Sequence, residues 1–374
     1  MIFFKHIITR YYWLLLSLLH VILMMLLYLH FGFNYQNEGA KYILQATEVV
    51  NGQYDFHINY NSFYITYVFY LAFFIALKIP LCFVFFSTYL LSLFAYYKFY
   101  KMLQHTINNI VSKLWLACML LSPFMQYWQF NLFSETFFIA LSLYYVSIVF
   151  QFQQHSYLRL LLLTIPLLLA RPNALFLFFV AILFLIYQYK IASRRQVVII
   201  GLALLITATL IVVFYLSLPY NDFTVLLTSG AVYCGFPTLK QTTLLPGNYT
   251  LWNCYVYNYQ TYGFATVAEL FFKKFGSFFI TARPYYSTWH SVLNQAHSLF
   301  YLLAVVPFAY WRNHTHHVKS MLWLIITFIF LNALMVGFIY NEWSERHTVQ
   351  VFPFIFVIAS MGVYALYQKR LRSL

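Results

Sequence analysis

Long apolar runs alternate with short polar breaks along this chain. The first run covers residues 11–31. Others follow near 60–77, 81–97, 110–126, 136–153, 158–170, 174–189, 197–217, 292–311, 320–340 and 348–367. Runs of this length and polarity predict transmembrane helices. Two predicted loops are longer than turns: residues 32–80, which take in the 60–77 run, and the polar residues 218–291. The first contains NEGAKYILQATEVVNGQY, Asn37 to Tyr54, in which Tyr42, Ile43, Ala46, Val49 and Val50 share a helical face. Asn37 suits the N-cap and Gly52 the stop. The pattern predicts a short amphipathic helix near 38–51 lying against the membrane surface, with Glu38 at its positive end. Glu38 is then either a first-turn acid complementing the dipole or a functional carboxylate.

Basic residues orient the spans. Lys5 and Arg10 precede the first run, and Lys369, Arg370 and Arg372 follow the last, which predicts cytoplasmic termini. Lys98, Lys101 and Lys113, then Lys190, Arg194 and Arg195, then Arg312 and Lys319 mark three further cytoplasmic turns if segment 60–77 does not cross. The predicted fold is an all-α polytopic membrane protein, one module over residues 1–374. It has about ten transmembrane helices, with juxtamembrane helices in the first and the long outer loops. The alternative makes 158–189 one span broken at Arg171-Pro172. The first run is longer than a signal-peptide core and lacks a small-residue cleavage site, so it is expected to remain.

Composition agrees. Hydrophobic residues make up 63% of the chain and charged residues 8%, with a mean hydropathy of +0.72. Soluble domains carry about a quarter charged residues. The net charge of +14 could point to nucleic acid, but the cations are scattered between apolar runs, as membrane topology requires; no nucleic-acid partner is expected. Cys234 and Cys254 share the long loop and could form a disulfide, or stay as free thiols. Cys82 and Cys118 lie within apolar runs and read as packing residues. In the long loop, the stretch beginning at Thr266 predicts an amphipathic helix ending near Arg283-Pro284, in which Lys273, Lys274 and Arg283 face headgroups or an anionic ligand. For Lys273 and Lys274 the headgroup reading is preferred. His314, His316 and His317 read as a solvated turn. No nucleotide-binding or serine-hydrolase motif occurs.

Four ionisable clusters fall on the predicted outer face, where such residues are costly unless functional. They are Asn37-Glu38, Ser134-Glu135 at the start of a span, Arg171-Pro172-Asn173 interrupting an apolar run, and Asn341 to His347, which holds Glu342, Glu345, Arg346 and His347. The last reads equally as a polar hairpin with a local Glu–Arg pair. Carboxylates and arginines on one membrane face suit transfer from a lipid-linked phosphosugar: cations hold the phosphate and a carboxylate takes the acceptor proton.

In the order of these motifs the chain resembles the GT-C superfamily of integral-membrane glycosyltransferases, which includes protein O-mannosyltransferases and bacterial polyprenyl-phosphate-sugar-dependent enzymes. The residues carrying the likeness are Glu38, Tyr42 and Ala46 with Asn51-Gly52, Ser134-Glu135, Leu169-Ala170-Arg171-Pro172, and Glu345-Arg346-His347 before a proline-containing span. Many members carry Asp in the first loop, often as Asp-Glu or Asp-Asp, where this chain has Asn37-Glu38. The resemblance implies an inverting transfer on the outer face, from a polyprenyl-phosphate-linked sugar to a lipid, glycan or protein acceptor. It implies Glu38 as the base or acceptor-orienting carboxylate, with Glu135 as a second acid. Arg346 and Arg171 would hold the donor phosphate. From their places in the clusters and the long loop, Asn37, Tyr42, Arg283, Glu345 and His347 are further candidates for substrate binding. A divalent metal ion could assist Glu135, and no other cofactor is implied. The expected location is a bacterial inner membrane, with membrane lipids as surroundings. Two other readings stay open: an O-antigen-type polymerase relying on loop arginines such as Arg283, and a non-enzymatic lipid-linked oligosaccharide flippase.

Overall fold

The computed structural model describes residues 2–36, 38–55, 60–152, 157–189, 260, 263–265, 268–269, 271–280, 288–310, 314–338 and 346–372. In chain order its helices are α1 (Ile2–Phe31), α2 (Glu38–Val50), α3 (Ile65–Ala76), α4 (Cys82–Thr106), α5 (Asn109–Leu121), α6 (Pro123–Tyr127), α7 (Ser134–Phe150), α8 (Tyr157–Leu168), α9 (Ala174–Tyr189), α10 (Thr288–Ala296), α11 (Ser298–Ala309), α12 (His316–Phe338) and α13 (Phe352–Arg372). Residues 271–277 add a further helical stretch before α10. There is no strand among the described residues.

Among the described residues, four helices are long and apolar enough to cross a membrane: α1 over Tyr11–Phe31, α4, α12 and α13. A fifth span is added if α5 and the helical residues to Phe130 count as one, bent by 52°. The bend has a local cause. Pro123 opens α6 and has no N–H to continue α5, while the Ser122 Oγ accepts a hydrogen bond from the Met125 N–H at 3.2 Å. The described helices thus fall short of the ten spans expected. One expected span, 197–217, lies outside the described residues. Others are short: α8 has 12 residues, α9 has 16 and α11 has 12. Twelve residues reach only about 18 Å, against a hydrocarbon core of about 30 Å. Segment 60–77 becomes a 3-10 turn, Tyr60–Tyr64, followed by the equally short α3. The Cys234–Cys254 question also lies outside the described residues, while Cys82 and Cys118 are free thiols.

Long apolar helices of this kind support a membrane protein. Only 17% of the hydrophobic window of α1 is buried, and Leu14, Leu18, Val21 and Met25 stand open on its surface. Such a surface would drive association in water but matches lipid chains.

The interior is built from facing helices. α4 packs on α7 and α5, α13 on α11 and α5, and α9 on α12. Trp115 of α5 is wholly buried, and its indole N–H donates to the Pro353 carbonyl at 2.8 Å, joining α5 to the start of α13. Gly362 lets α11 and α13 touch backbone to backbone, because a Cβ there would lie 2.1 Å from the Leu303 carbonyl oxygen.

Two long-range stitches set the end of the bundle that matters most. After α1, the Asn34 N–H donates to Phe130 O at 2.8 Å and Asn34 O accepts from the Leu132 N–H at 3.0 Å. The Asn34 amide also donates to Asn131 Oδ1 at 2.8 Å. At the next break, the Thr66 N–H donates to Leu169 O at 3.0 Å. The first loop is therefore fastened to the turn before α7, and α3 to the turn before α9.

The expected amphipathic helix is present as α2. Gly52, at φ +68°, ends it with paired bonds from the Gly52 N–H to Val49 O and from the Gln53 N–H to Glu48 O. Part of its apolar face is taken up inside the protein, while Leu44 and Val50 stay exposed. It packs on α3, with Tyr42 and Ala46 wholly buried, because α3 offers an apolar partner of matching length.

Candidate active site

Four chain segments converge where those stitches hold them. Glu38 is the first residue of α2, and Gly39 behind it fits because its missing side chain would meet Leu132 at 3.3 Å. Glu135 lies in the first turn of α7. Arg171 occupies the turn between α8 and α9, where Pro172 prevents a continuous helix. Arg346 and His347 precede α13. Both carboxylates thus sit at helix N-termini, where partial positive charge favours them.

The centre is Glu135. Its Oε1 lies 2.6 Å from Arg171 Nη1 and 2.6 Å from Arg346 Nε. The Arg346 Nη1 reaches Glu38 Oε1 at 3.5 Å. One guanidinium thus spans two carboxylates from separate parts of the chain. Arg171 also donates to Ser134 Oγ at 3.0 Å and lies over the Tyr64 ring at 5.5 Å from its centroid. Tyr42 completes this edge, with its hydroxyl 3.3 Å from Ser134 Oγ.

Burial separates the two acids. Glu135 is fully buried, whereas the Glu38 side chain is 35% exposed. Burial alone would push the Glu135 pKa up, but Arg171 and Arg346 reverse this and hold the carboxyl below its usual range. Arg171 loses solvent too, yet Glu135 raises its pKa further, so it stays cationic. The Glu135 Oε2 and Arg171 Nε atoms are buried with no hydrogen-bond partner among the described residues. Buried polar atoms of this kind call for a partner from solvent or a ligand.

His347 is buried, and its pKa is driven well below the ordinary value by burial first and then by Arg171, Arg346 and Lys274. Its imidazole is therefore neutral at pH 7. Lys274 corrects a reading made from the sequence. Both Lys273 and Lys274 were expected at headgroups. Lys273 does pair with Glu269 at 2.5 Å on the surface, but Lys274 is only 2% exposed. The stretch 271–277 packs against the turn before α13, where Thr348 Oγ1 donates to Phe278 O at 2.7 Å. Adjacent helical positions point about 100° apart, so one lysine faces out and the next faces in.

Of the residues expected at the site, Glu38, Tyr42, Glu135, Arg171, Arg346 and His347 come together. Asn37, Arg283 and Glu345 lie outside the described residues. Sequence reasoning missed Ser134 as a partner of both Tyr42 and Arg171, and missed Asn332, whose Oδ1 accepts from the Asn173 amide at 2.5 Å. That bond fixes the turn carrying Arg171 to α12.

The described residues do not fit a divalent metal. No three His, Cys, Asp or Glu side chains gather among them, and both carboxylates of the cluster face guanidiniums. Comparison with protein-family models, characterised proteins and solved structures gave no match to the chain.

Proposed function

We propose that the chain is a membrane glycosyltransferase that moves a sugar from a polyprenyl-phosphate-linked donor to a lipid, glycan or protein acceptor, and that the Glu38–Arg346–Glu135–Arg171 cluster is its active site. The observation supporting this reading is the meeting of two carboxylates and two guanidiniums from four distant segments, with one acid half-buried and the other sealed. Helix packing alone has no need of such a costly group of charges.

The two acids take different roles. Glu38 is the base, since it is open to a substrate and only loosely held by Arg346. Glu135 is a positioning residue. Its Oε1 serves both arginines, and its depressed pKa keeps it charged, so the guanidiniums stay oriented. A phosphate is a strong acceptor for guanidinium N–H groups. When it engages Arg346 it competes with Glu38 and releases that carboxylate for the acceptor. The acceptor hydroxyl oxygen then bonds to the anomeric carbon as its proton passes to Glu38. The bond from that carbon to the phosphate oxygen breaks, and its electron pair leaves on polyprenyl phosphate beside the arginines. Attack opposite the leaving group inverts the anomeric centre.

The test uses proteoliposomes, a panel of polyprenyl-phosphate sugars and an envelope-lipid extract as acceptor. Glu38→Gln should lower turnover by about 10²–10⁴-fold, with thermal stability and donor binding retained. Unchanged turnover in Glu38→Gln rejects the base assignment. No wild-type turnover with any donor rejects the glycosyltransferase reading.

A further inference from the structure

The strongest feature outside the cluster lies at the other end of the bundle. Between α9 and α12 lies a groove of about 520 Å³, lined by Val180, Leu183 and Phe184 of α9 and by Trp323, Leu324 and Thr327 of α12. Tyr187, His316, Lys319 and Ser320 stand at its mouth. α9 starts beside Arg171, and Tyr187 lies 13 positions after Ala174, about 20 Å along the axis. The groove is therefore separate from the carboxylate–arginine cluster.

Its mouth is an ordered polar edge on an apolar trough. The Tyr187 hydroxyl lies 2.9 Å from His316 Nε2, and the two rings stack at 5.2 Å. Lys319 is in the first turn of α12, where free N–H groups add positive potential. No carboxylate pairs with Lys319 among the described residues. The sequence sharpens this contrast. No Asp or Glu occurs between Glu135 and Asp222, or between Glu269 and Glu342, so α8, α9, α11 and α12 carry none. Trp323 is 60% exposed at the groove edge, and tryptophan favours the membrane interface.

We propose that this groove binds one anionic phospholipid, with an acyl chain along Val180, Leu183, Phe184 and Leu324 and the headgroup phosphate at Lys319 and the His316–Tyr187 pair. The occupant follows from charge complementarity: a cationic mouth with no counter-acid among the described residues, above an apolar trough, matches an anionic amphiphile and disfavours a zwitterionic one. The site does not depend on the glycosyltransferase reading.

Trp323 supplies a direct readout. The full chain is placed in nanodiscs containing phosphatidylglycerol or phosphatidylcholine with brominated acyl chains, at equal mole fraction. The Trp323 contribution to fluorescence is isolated by subtracting Trp323→Phe. Brominated phosphatidylglycerol should quench that component with about fivefold tighter apparent binding than phosphatidylcholine, as expected for one lysine at the headgroup. Lys319→Gln should remove the preference, and so should high salt with the wild-type chain, which needs no variant to fold. Equal quenching by the two lipids overturns the proposal. So does a preference that survives both Lys319→Gln and salt, or stronger binding of a polyprenyl phosphate than of phosphatidylglycerol.

Discussion

Glu135→Gln tests the heart of the cluster, because it removes a charge while keeping size and one hydrogen-bond acceptor. Two guanidiniums lose their common partner at once. Across about 4 Å at an effective dielectric of about 20, each pair is worth about 4 kcal/mol of Coulomb energy before desolvation. Most of that gain is spent in removing the ions from water, so the measurable effect is the cost of stranding Arg171, whose side chain is 1% exposed. Breaking a buried pair by removing one partner costs about 3–5 kcal/mol. Arg346 is less affected, since its side chain is 15% exposed and Glu38 remains at 3.5 Å. Reversible unfolding in mixed micelles, titrated with a denaturing surfactant and followed by tryptophan fluorescence, gives the free energies. Glu135→Gln and Arg171→Met should each cost about 3–5 kcal/mol, and Arg346→Gln less. The double variant Glu135→Gln/Arg171→Met should fall short of the sum by about 1–3 kcal/mol. Single variants within about 0.5 kcal/mol of wild type, or full additivity, would refute the view that Glu135 and Arg171 neutralise one another.

The buried neutral His347 makes stability depend on pH. Its folded pKa is depressed, so below the unfolded value of about 6.5 the unfolded chain binds more protons, and stability falls by up to about 1.4 kcal/mol per pH unit as pH drops. Glu135 acts in the same direction but only near and below its unfolded value of about 4.3. His347→Gln should therefore flatten the slope between pH 6.5 and 4.5, and an unchanged slope would reject a neutral buried imidazole. At the α11–α13 crossing, Gly362→Ala forces a methyl against the Leu303 carbonyl and should cost about 2 kcal/mol or more in the same unfolding assay, as overpacking does. Asn131→Leu removes the side-chain bond between Asn131 and Asn34 and should lower turnover more than stability, because it loosens Glu38 relative to Glu135. Equal turnover would show that the backbone stitch alone holds the loop.

The positions of the four clusters were legible because ionisable residues interrupting apolar runs are costly in lipid and stand out from composition alone. α2 was equally legible, since its helical face and its Gly52 stop are local signals. The partners were not. Asn34 and Asn131 look like ordinary turn residues, and their pairing joins positions 97 apart. Asn173 and Asn332 are 159 apart. Local periodicity carries no information at that range. The inward turn of Lys274 was hidden for a related reason: its helical face is defined by the turn before α13, which lies far along the chain. The span count was blurred because mean hydropathy does not distinguish a full crossing from two short helices meeting at a polar break, as α8 and α9 do around Arg171.

Arg346 also has a consequence for biogenesis. It is made 211 residues after the Glu135 it contacts. At about 5–20 residues per second, roughly 10–40 s pass between the two. Arg171 follows Glu135 by 36 residues, and from then until Arg346 is made the nascent chain holds a carboxylate at the start of α7 with Arg171 as its only arginine partner from this cluster. The early helices therefore enter the membrane as a provisional half-site, and the C-terminal helix completes it. A ribosome-stalled chain ending before Arg346 should expose Glu135 to a carboxyl-reactive reagent, while release of the full-length chain closes it.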